Sequence, residues 1–569
     1  MRRISLVIIL VFGFSLTTLT ELYAQTAKIE WSPILKTNNL ENGVFRDIIG
    51  ENETYTYYLY SDYRDQSFRK NIHILGISHD DPEKMVRTVV KIPKEWVYKD
   101  MQLQGIYVTN NYVYVFWEKR AKNRLEIYVK LLDIELATAA EIVKLHQFLY
   151  PSEGDYSRPH LFVRINATNN ATILVGAETS VLNGSQIEVE CRSYSHDLRL
   201  QAVHQIKLPY LANSDFSALS ANYEFGNDGN LHILAKLREP TTDGSLFYYN
   251  AYTFLNLNNG RYDHIKFLFE DKKVLGLKIR TTLNEVLFYG FYHDYRIGEY
   301  ALIDQIHGSF KAKLNKSSVS LTNVDFIRFD RPISTSIPQK VNLNNTETNP
   351  ESSTTQVYGD FQVEQLYALD NGDLFFVASA VQNNTFTICY PGGNCRTSFY
   401  HLKGNISLLL LSPGGSLKWK KDIPRWIEYA NWNTPDLSLI RSKDDFLLIY
   451  GDVAKTRNTT KNAERNMVLD QSSIQATFIN LDKELLRPTP LPLNFLFTDE
   501  KSVLQFNASS FKNLGNRISL VESKSKTSNY GKFLRVSTTI LFPIGLLTDF
   551  GKYQNRINTE TRFGKVVVN

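Results

Sequence analysis

Residues 370–379 read Asp-Asn-Gly-Asp-Leu-Phe-Phe-Val-Ala-Ser, a turn made of residues that tolerate positive φ followed by an apolar run. The same grammar recurs along the chain. Glu51-Asn52-Glu53 precedes TYTYYLY, Asn110-Asn111 precedes YVYVFW, Asn169-Asn170 precedes ATILVG, and Asn227-Asp228-Gly229-Asn230 precedes LHILA. Leu283-Asn284-Glu285 precedes VLFYGF, Lys443-Asp444-Asp445 precedes FLLIYG, and Leu514-Gly515-Asn516 precedes RISLV. With Asn52, Asn110, Asn169, Asp228, Asn284, Asn371, Asp444 and Gly515 as markers, the spacings are 58, 59, 59, 56, 87, 73 and 71. The period is therefore close to 58 residues, lengthened late in the chain by polar insertions. One is Arg331 to Tyr358, rich in Ser, Thr, Asn and Pro; another is Lys455 to Met467.

Each marked run has strand-like neighbours. A second run follows, as in IHILGIS (72–78), LEIYVKLLD (125–133), IEVECRSYS (187–195), FYYNAYTFL (247–255), NISLLLLS (405–412) and QATFINL (475–481). A third follows in places, as in VRTVVKI (86–92), EIVKLHQF (141–148) and SLKWKKDI (416–423). A strand also precedes the marker, as in LQGIYVT (103–109) and LSLIRS (437–442). Four antiparallel strands repeated in this way predict an all-β fold, a single β-propeller of seven or eight four-stranded blades. The alternative is a series of β-sandwich domains, each of which needs roughly 100 residues and no such period. The propeller is expected over residues 25–545, with the polar insertion at 331–358. Residues 546–569 are expected to be a tail or a closing strand, and the unit from Gly515 to Ile544 is a candidate to close the ring with the N-terminus.

The first 24 residues read as a signal peptide. Arg2 and Arg3 precede the apolar stretch Ile4 to Leu19, and Leu22-Tyr23-Ala24 offers a small residue at the cut before Gln25. The apolar run is shorter than the roughly 20 residues a bilayer demands, and no later stretch reads as a transmembrane segment. The chain is thus expected to be exported, to the periplasm, the cell surface or the medium. The first cysteine is Cys191, far from the cut, so a lipoprotein anchor is not expected. A formal charge of +5 spread over 569 residues exerts no general pull on nucleic acid.

Of the three cysteines, Cys389 and Cys395 bracket Tyr-Pro-Gly-Gly-Asn, a turn signal that brings the two thiols together, and an exported chain favours a disulfide there. Cys191 sits within the apparent strand Gln186 to Arg192 and reads as core.

The pairing of LDNGDLFFVAS with NISLLLLSPGGSLKWKKDIPR, together with the closing RFGKVVVN, resembles a group of exported proteins of Bacteroidetes-type bacteria. The resemblance covers mainly residues 360–430 and the termini. It implies a bacterial, exported, propeller-like protein and brings no activity with it.

Catalytic signatures are missing from the sequence. There is no G-x-S-x-G, H-E-x-x-H, C-x-x-C, phosphate loop or G-x-G-x-x-G. Ser78-His79-Asp80-Asp81-Pro82 reads as a turn. The Asp-Asn-Gly-Asp and Asn-Asp-Gly-Asn segments lack the final Glu of a calcium loop. His73, His232 and His264 read as strand residues. No metal and no cofactor is expected.

One pattern points to a working face. An acid recurs where the marked strand ends: Asp62, Glu118, Glu178, Glu239, Asp294 and Asp452. If that strand is the second of each blade, these acids fall in its exit loops, on the face that also carries the blade-to-blade links. The cysteine loop and both insertions leave from the same face. Tyr63, Arg64, Trp117 and His293 lie on this predicted rim, and aromatic residues beside acids suit sugar or peptide recognition. The expected function is a monomeric binding or scaffold protein for a glycan or protein partner, with Asp62, Tyr63, Arg64, Trp117, Glu118, His293, Asp294 and Asp452 as the candidate binding residues. The competing expectation is a carbohydrate-active enzyme with paired carboxylates at the propeller mouth.

Overall fold

The computed structural model describes residues 27–33, 35–36, 43–62, 71–91, 101–121, 123–150, 160–166, 172–180, 187–208, 221–240, 246–294, 305–334, 354–389, 395–425, 427–429, 437–442, 445–451, 474–488, 502–506, 517–526 and 558–568. Their strands form eight antiparallel sheets, seven built from a local run of chain and one that joins the two ends of the described residues. These are the eight blades of a β-propeller: blade I (43–91), II (101–149), III (160–208), IV (221–267), V (272–334), VI (354–429), VII (437–488) and VIII (502–568).

In every blade the turn-plus-apolar run is the second strand. The eight copies are Tyr55–Asp62, Tyr112–Ala121, Thr172–Ser180, Leu231–Pro240, Val286–Asp294, Leu374–Cys389, Asp445–Gly451 and Arg517–Lys526. Among the described residues the preceding turns form as their residue types dictate. In blade VI the Gly372 N–H bonds to the Leu369 carbonyl at 2.9 Å, with Gly372 at φ 84°, while the Asn371 side chain accepts from the Asp373 N–H at 2.9 Å. Ser78 to Lys84 is likewise a turn, closed by the Ser78 N–H on the Lys84 carbonyl.

Blade VIII closes the ring. Its sheet runs Ser502–Phe506, Arg517–Lys526, Asn558–Val568 and then the N-terminal strand Ala27–Trp31, with Ala27 opposite Val568 and Trp31 opposite Gly564. Leu35–Lys36 adds a short pairing to the same strand. The closing strand is thus Asn558–Val568, and the two ends of the chain lie in one sheet. The expected insertion at 331–358 is entered by strands from both sides, Ser320–Ser334 and Thr354–Ala368.

Blades adhere through apolar seams. Strand alternation sends Val113, Val115 and Trp117 toward blade I, where they meet Tyr55, Tyr57 and Leu59. Tyr114 and Phe116 face the other way and meet Leu161, Val163, Ile173 and Val175 of blade III. Equivalent clusters join III to IV, IV to V, V to VI and VI to VII. Each buried side chain of this size contributes about 1.5–3 kcal/mol, so the seams hold the ring. Cys191 is one of these seam residues, and burial pushes its thiol up to about 12. Gly176 lies where a Cβ would stand 2.1 Å from the Phe162 ring, so the seam between III and IV requires a glycine there.

The first strands of blades I and II, II and III, III and IV, and V and VI touch one another, which sets them around the centre of the ring. The second strands all end on one face, from which the blade-to-blade links leave. We call this the link face and the opposite one the turn face. Among the described residues no helix is long and apolar enough to cross a membrane.

Candidate functional site

Five of the six acids expected in exit loops belong to the strands themselves. Glu118, Glu178 and Asp294 lie in the last residues of their second strands, as do Asp62 and Glu239 by backbone. The side chains of Asp62 and Glu239, and all of Tyr63, Arg64 and Asp452, lie outside the described residues.

Trp117 is not a rim residue. It is fully enclosed in the seam between blades I and II, because its place in the alternation matches Val113 and Val115. Glu118, one step further, shares the face of Tyr114 and Phe116 and is buried beside blade III. Its Oε1 accepts from the Arg120 Nε at 2.7 Å, and its Oε2 is buried with no hydrogen-bond partner.

Glu178 is the same position one blade on, since Val175-Gly176-Ala177-Glu178 aligns with Val115-Phe116-Trp117-Glu118 in strand place and facing. It is buried in the seam between III and IV, where the Tyr223 hydroxyl of blade IV donates to its Oε2. Burial outweighs that bond and raises the Glu178 carboxyl to about 7. Tyr223 is held by its ring stacked on Phe162, centroids 3.9 Å apart, and its carbonyl accepts from Arg164. His160 opposes Glu178 in the register, and its Nδ1 is a buried atom with no hydrogen-bond partner. Burial lowers the His160 pKa, with the charges of Glu118, Arg120 and Arg164 acting on it as well. Blades II, III and IV thus bring two carboxyls, a histidine, a tyrosine and two arginines to the link face.

Blade V carries a different set. His293 is buried, and its Nδ1 donates to the Gln305 carbonyl at 2.8 Å. Asp294 pairs with Arg328 at 2.9 Å, and its backbone N–H donates to the His307 Nδ1 at 3.1 Å. In blade VI buried charges are answered locally. Lys403 pairs with Glu364 at 2.6 Å, and Arg425 donates to the Ser379 hydroxyl at 2.8 Å.

The turn face also holds buried polar groups, but these cap turns. Asp228 accepts from the His232 Nε2 at 2.9 Å, and the His232 Nδ1 meets the Tyr252 hydroxyl at 2.7 Å. His73, His232 and His264 are strand residues. Among the described residues no group of three or more His, Cys, Asp or Glu is placed to hold a metal ion.

The acid and aromatic pattern of the sequence pointed to Glu118, Glu178 and His293, which the structure buries at the link-face ends of their second strands. It did not single out His160, Arg164 and Tyr223, which stand beside Glu178 on first strands.

The backbone register sets Cys389 directly opposite Cys395, at the end of the long hairpin formed by Leu374–Cys389 and Cys395–Leu411.

No protein-family model matches this chain, and no curated protein matches it. Among solved structures, it is similar to polysaccharide lyase Uly1, at 9% identity and a TM-score of 0.32, over 81% of this chain and 89% of that one. It is also similar to Synechocystis ACO, at 8% identity and a TM-score of 0.26, over 70% of this chain and 94% of that one. A third likeness is to MPT-4, a mannose phosphorylase from Leishmania mexicana, at 10% identity and a TM-score of 0.22, over 52% and 79%. Likenesses at this level say nothing about what this chain binds or does.

Proposed function

We propose that this is an exported glycan-binding propeller whose binding side is the link face. The observation that carries the reading is the pair of orphaned buried atoms there, Glu118 Oε2 and His160 Nδ1, in adjacent blades. A buried polar atom left without a partner costs about 1–3 kcal/mol, and a ligand hydroxyl relieves it. Sugar hydroxyls both donate and accept, so one chemical class answers a carboxylate oxygen and a ring nitrogen of either tautomer. The test is a glycan array probed with the chain from Gln25 onward. Selective binding that falls about tenfold or more in Glu118→Gln is the expected result. A blank array, with a protein partner captured instead, would replace this reading with a protein scaffold.

A second reading has one observation behind it. A carboxyl at about 7 beside a tyrosine hydroxyl is suited to move a proton at neutral pH. If bound glycan is cleaved, and cleavage stops in Glu178→Gln while binding persists, the protein is a carbohydrate-active enzyme.

Export carries a covalent corollary in the same proposal. Cys389 and Cys395 form a disulfide across the hairpin end. The intact mass of the secreted chain should rise by two hydrogens on reduction, and free thiols at both positions in the unreduced protein would defeat it.

A further inference from the structure

Arg164 lies on the first strand of blade III, His160–Asn166. His160, Phe162 and Arg164 alternate along that strand and share the face turned to blade IV, where Phe162 joins the seam and stacks on Tyr223. The first strands of blades II, III and IV touch, so this row of residues stands beside the centre of the ring. His160 is at its link-face end, and Arg164 is four residues deeper, roughly 13 Å along the strand.

Arg164 is held by carbonyls. Its Nε donates to the Tyr223 carbonyl of blade IV, and its Nη1 to the Val163 carbonyl of its own strand at 2.8 Å. Both acceptors are neutral, whereas Arg120, Arg192 and Arg328 each meet a carboxylate, at 2.7, 2.8 and 2.9 Å. Among the described residues no carboxylate pairs with Arg164, and its Nη2 makes no hydrogen bond. A guanidinium carries five N–H groups, so two carbonyls leave three of them unspent. The side chain is half-buried and has no enclosed, unbonded nitrogen, so its remaining edge meets solvent.

The charge of Arg164 reaches the link-face groups. It acts on His160 together with the charges of Glu118 and Arg120, and it acts on Tyr107 of blade II. Arg164 therefore shares a neighbourhood with the two unpartnered buried atoms, Glu118 Oε2 and His160 Nδ1. There Glu118 is already bonded to Arg120, which leaves Arg164 as the cation without an acid. A cation drawn partly out of water is compensated fully only by an opposite charge.

We propose that Arg164 receives a carboxylate carried by the glycan, deeper in the ring than the hydroxyls met by Glu118 and His160. This rests on the glycan reading above and names the class of glycan: one with a uronic-acid unit. The two carbonyl bonds fix the guanidinium plane before the ligand arrives, so little side-chain freedom is lost on binding. The planar fork matches the two oxygens of a carboxylate, and charge-assisted bonds of that kind are about twice as strong as neutral ones.

The test is calorimetric titration of the chain from Gln25 onward with glucuronate, glucose 6-sulfate and glucose. Glucuronate should bind about tenfold or more tightly than glucose. Arg164→Gln should erase that margin, and Arg164→Lys, which keeps the charge and loses the fork, should retain about threefold of it. Equal binding of glucuronate and glucose overturns the proposal, as does a margin that survives intact in Arg164→Gln. Tighter binding of the sulfate than of glucuronate overturns the carboxylate. Because Arg164 also ties two blades together, a measurement on the wild type covers a variant that fails to fold. Phenylglyoxal should label Arg164 in the folded chain, as mapped by mass spectrometry, and glucuronate should protect it where glucose does not. An Arg164 that stays unlabelled, or that labels equally with and without glucuronate, overturns the site. An array positive for neutral glycans alone defeats the uronic-acid class and leaves the glycan reading standing, whereas a blank array defeats both.

Discussion

Asp228→Ala is expected to cost the fold about 3–5 kcal/mol, the penalty for removing one partner of a buried ion pair. Asp228 sits in the turn before the second strand of blade IV and is almost fully enclosed. Its Oδ1 accepts from His232 at 2.9 Å, and its Oδ2 forms an ion pair with Lys316 of blade V at 2.9 Å. The neighbouring Asn227 bonds Thr281 of blade V through its backbone N–H and its side-chain amide. The turn is therefore a clamp between two blades. Burial alone would raise the Asp228 pKa, but the bond and charge of His232, with Asn230 and Lys316, outweigh it and hold the carboxyl well below the usual range. With the folded pKa depressed, the contribution is present above the ordinary value of 3.8 and lost as pH falls below it. Denaturant midpoints for wild type and variant at pH 7 measure the loss, and a difference under about 1 kcal/mol would show that the clamp is energetically idle. Asp228→Asn should lose less, since its amide oxygen still accepts from His232.

Glu178→Gln should do the reverse and stabilise the protein, but only where wild-type Glu178 is charged. Its folded pKa is raised from 4.5 to about 7, so the folded state prefers the neutral acid. Below about pH 4.5 the group is neutral in both states and exacts nothing. As pH rises toward 7 the unfolded chain ionises freely while the buried carboxyl resists, and wild-type stability falls. Above 7 the loss levels off at about 3 kcal/mol, from roughly 1.4 kcal/mol per pKa unit. The glutamine keeps an oxygen for the Tyr223 hydroxyl and never ionises. Unfolding curves at pH 4 and pH 8 should therefore nearly coincide for the two proteins at the lower pH and separate at the higher one. A separation independent of pH would mean that Glu178 is an ordinary ionised carboxylate.

The blade repeat was legible because its signal is local. Asn, Asp and Gly at 370–373 form the same turn wherever the chain goes next, and the apolar run after it suits a strand buried on both faces. That logic located the second strand in all eight blades and the face on which those strands end. It could not say which of two alternating residues meets which neighbour. Trp117 and Glu118 are adjacent in sequence and lie on opposite faces of one blade, so an aromatic beside an acid read as a rim when one of the two is core.

By itself, then, the sequence determined an all-β ring of repeated blades and the face toward which its acids gather. Turn chemistry and alternation are properties of a few neighbouring residues and need no partner. Only the tertiary structure decided that Tyr223 meets Glu178 across 45 positions of chain, that Lys316 answers Asp228, and that Ala27–Trp31 closes the ring on Asn558–Val568. Those pairings depend on how one blade's seam packs against the next, and burial in the seam is what raises the Glu178 carboxyl.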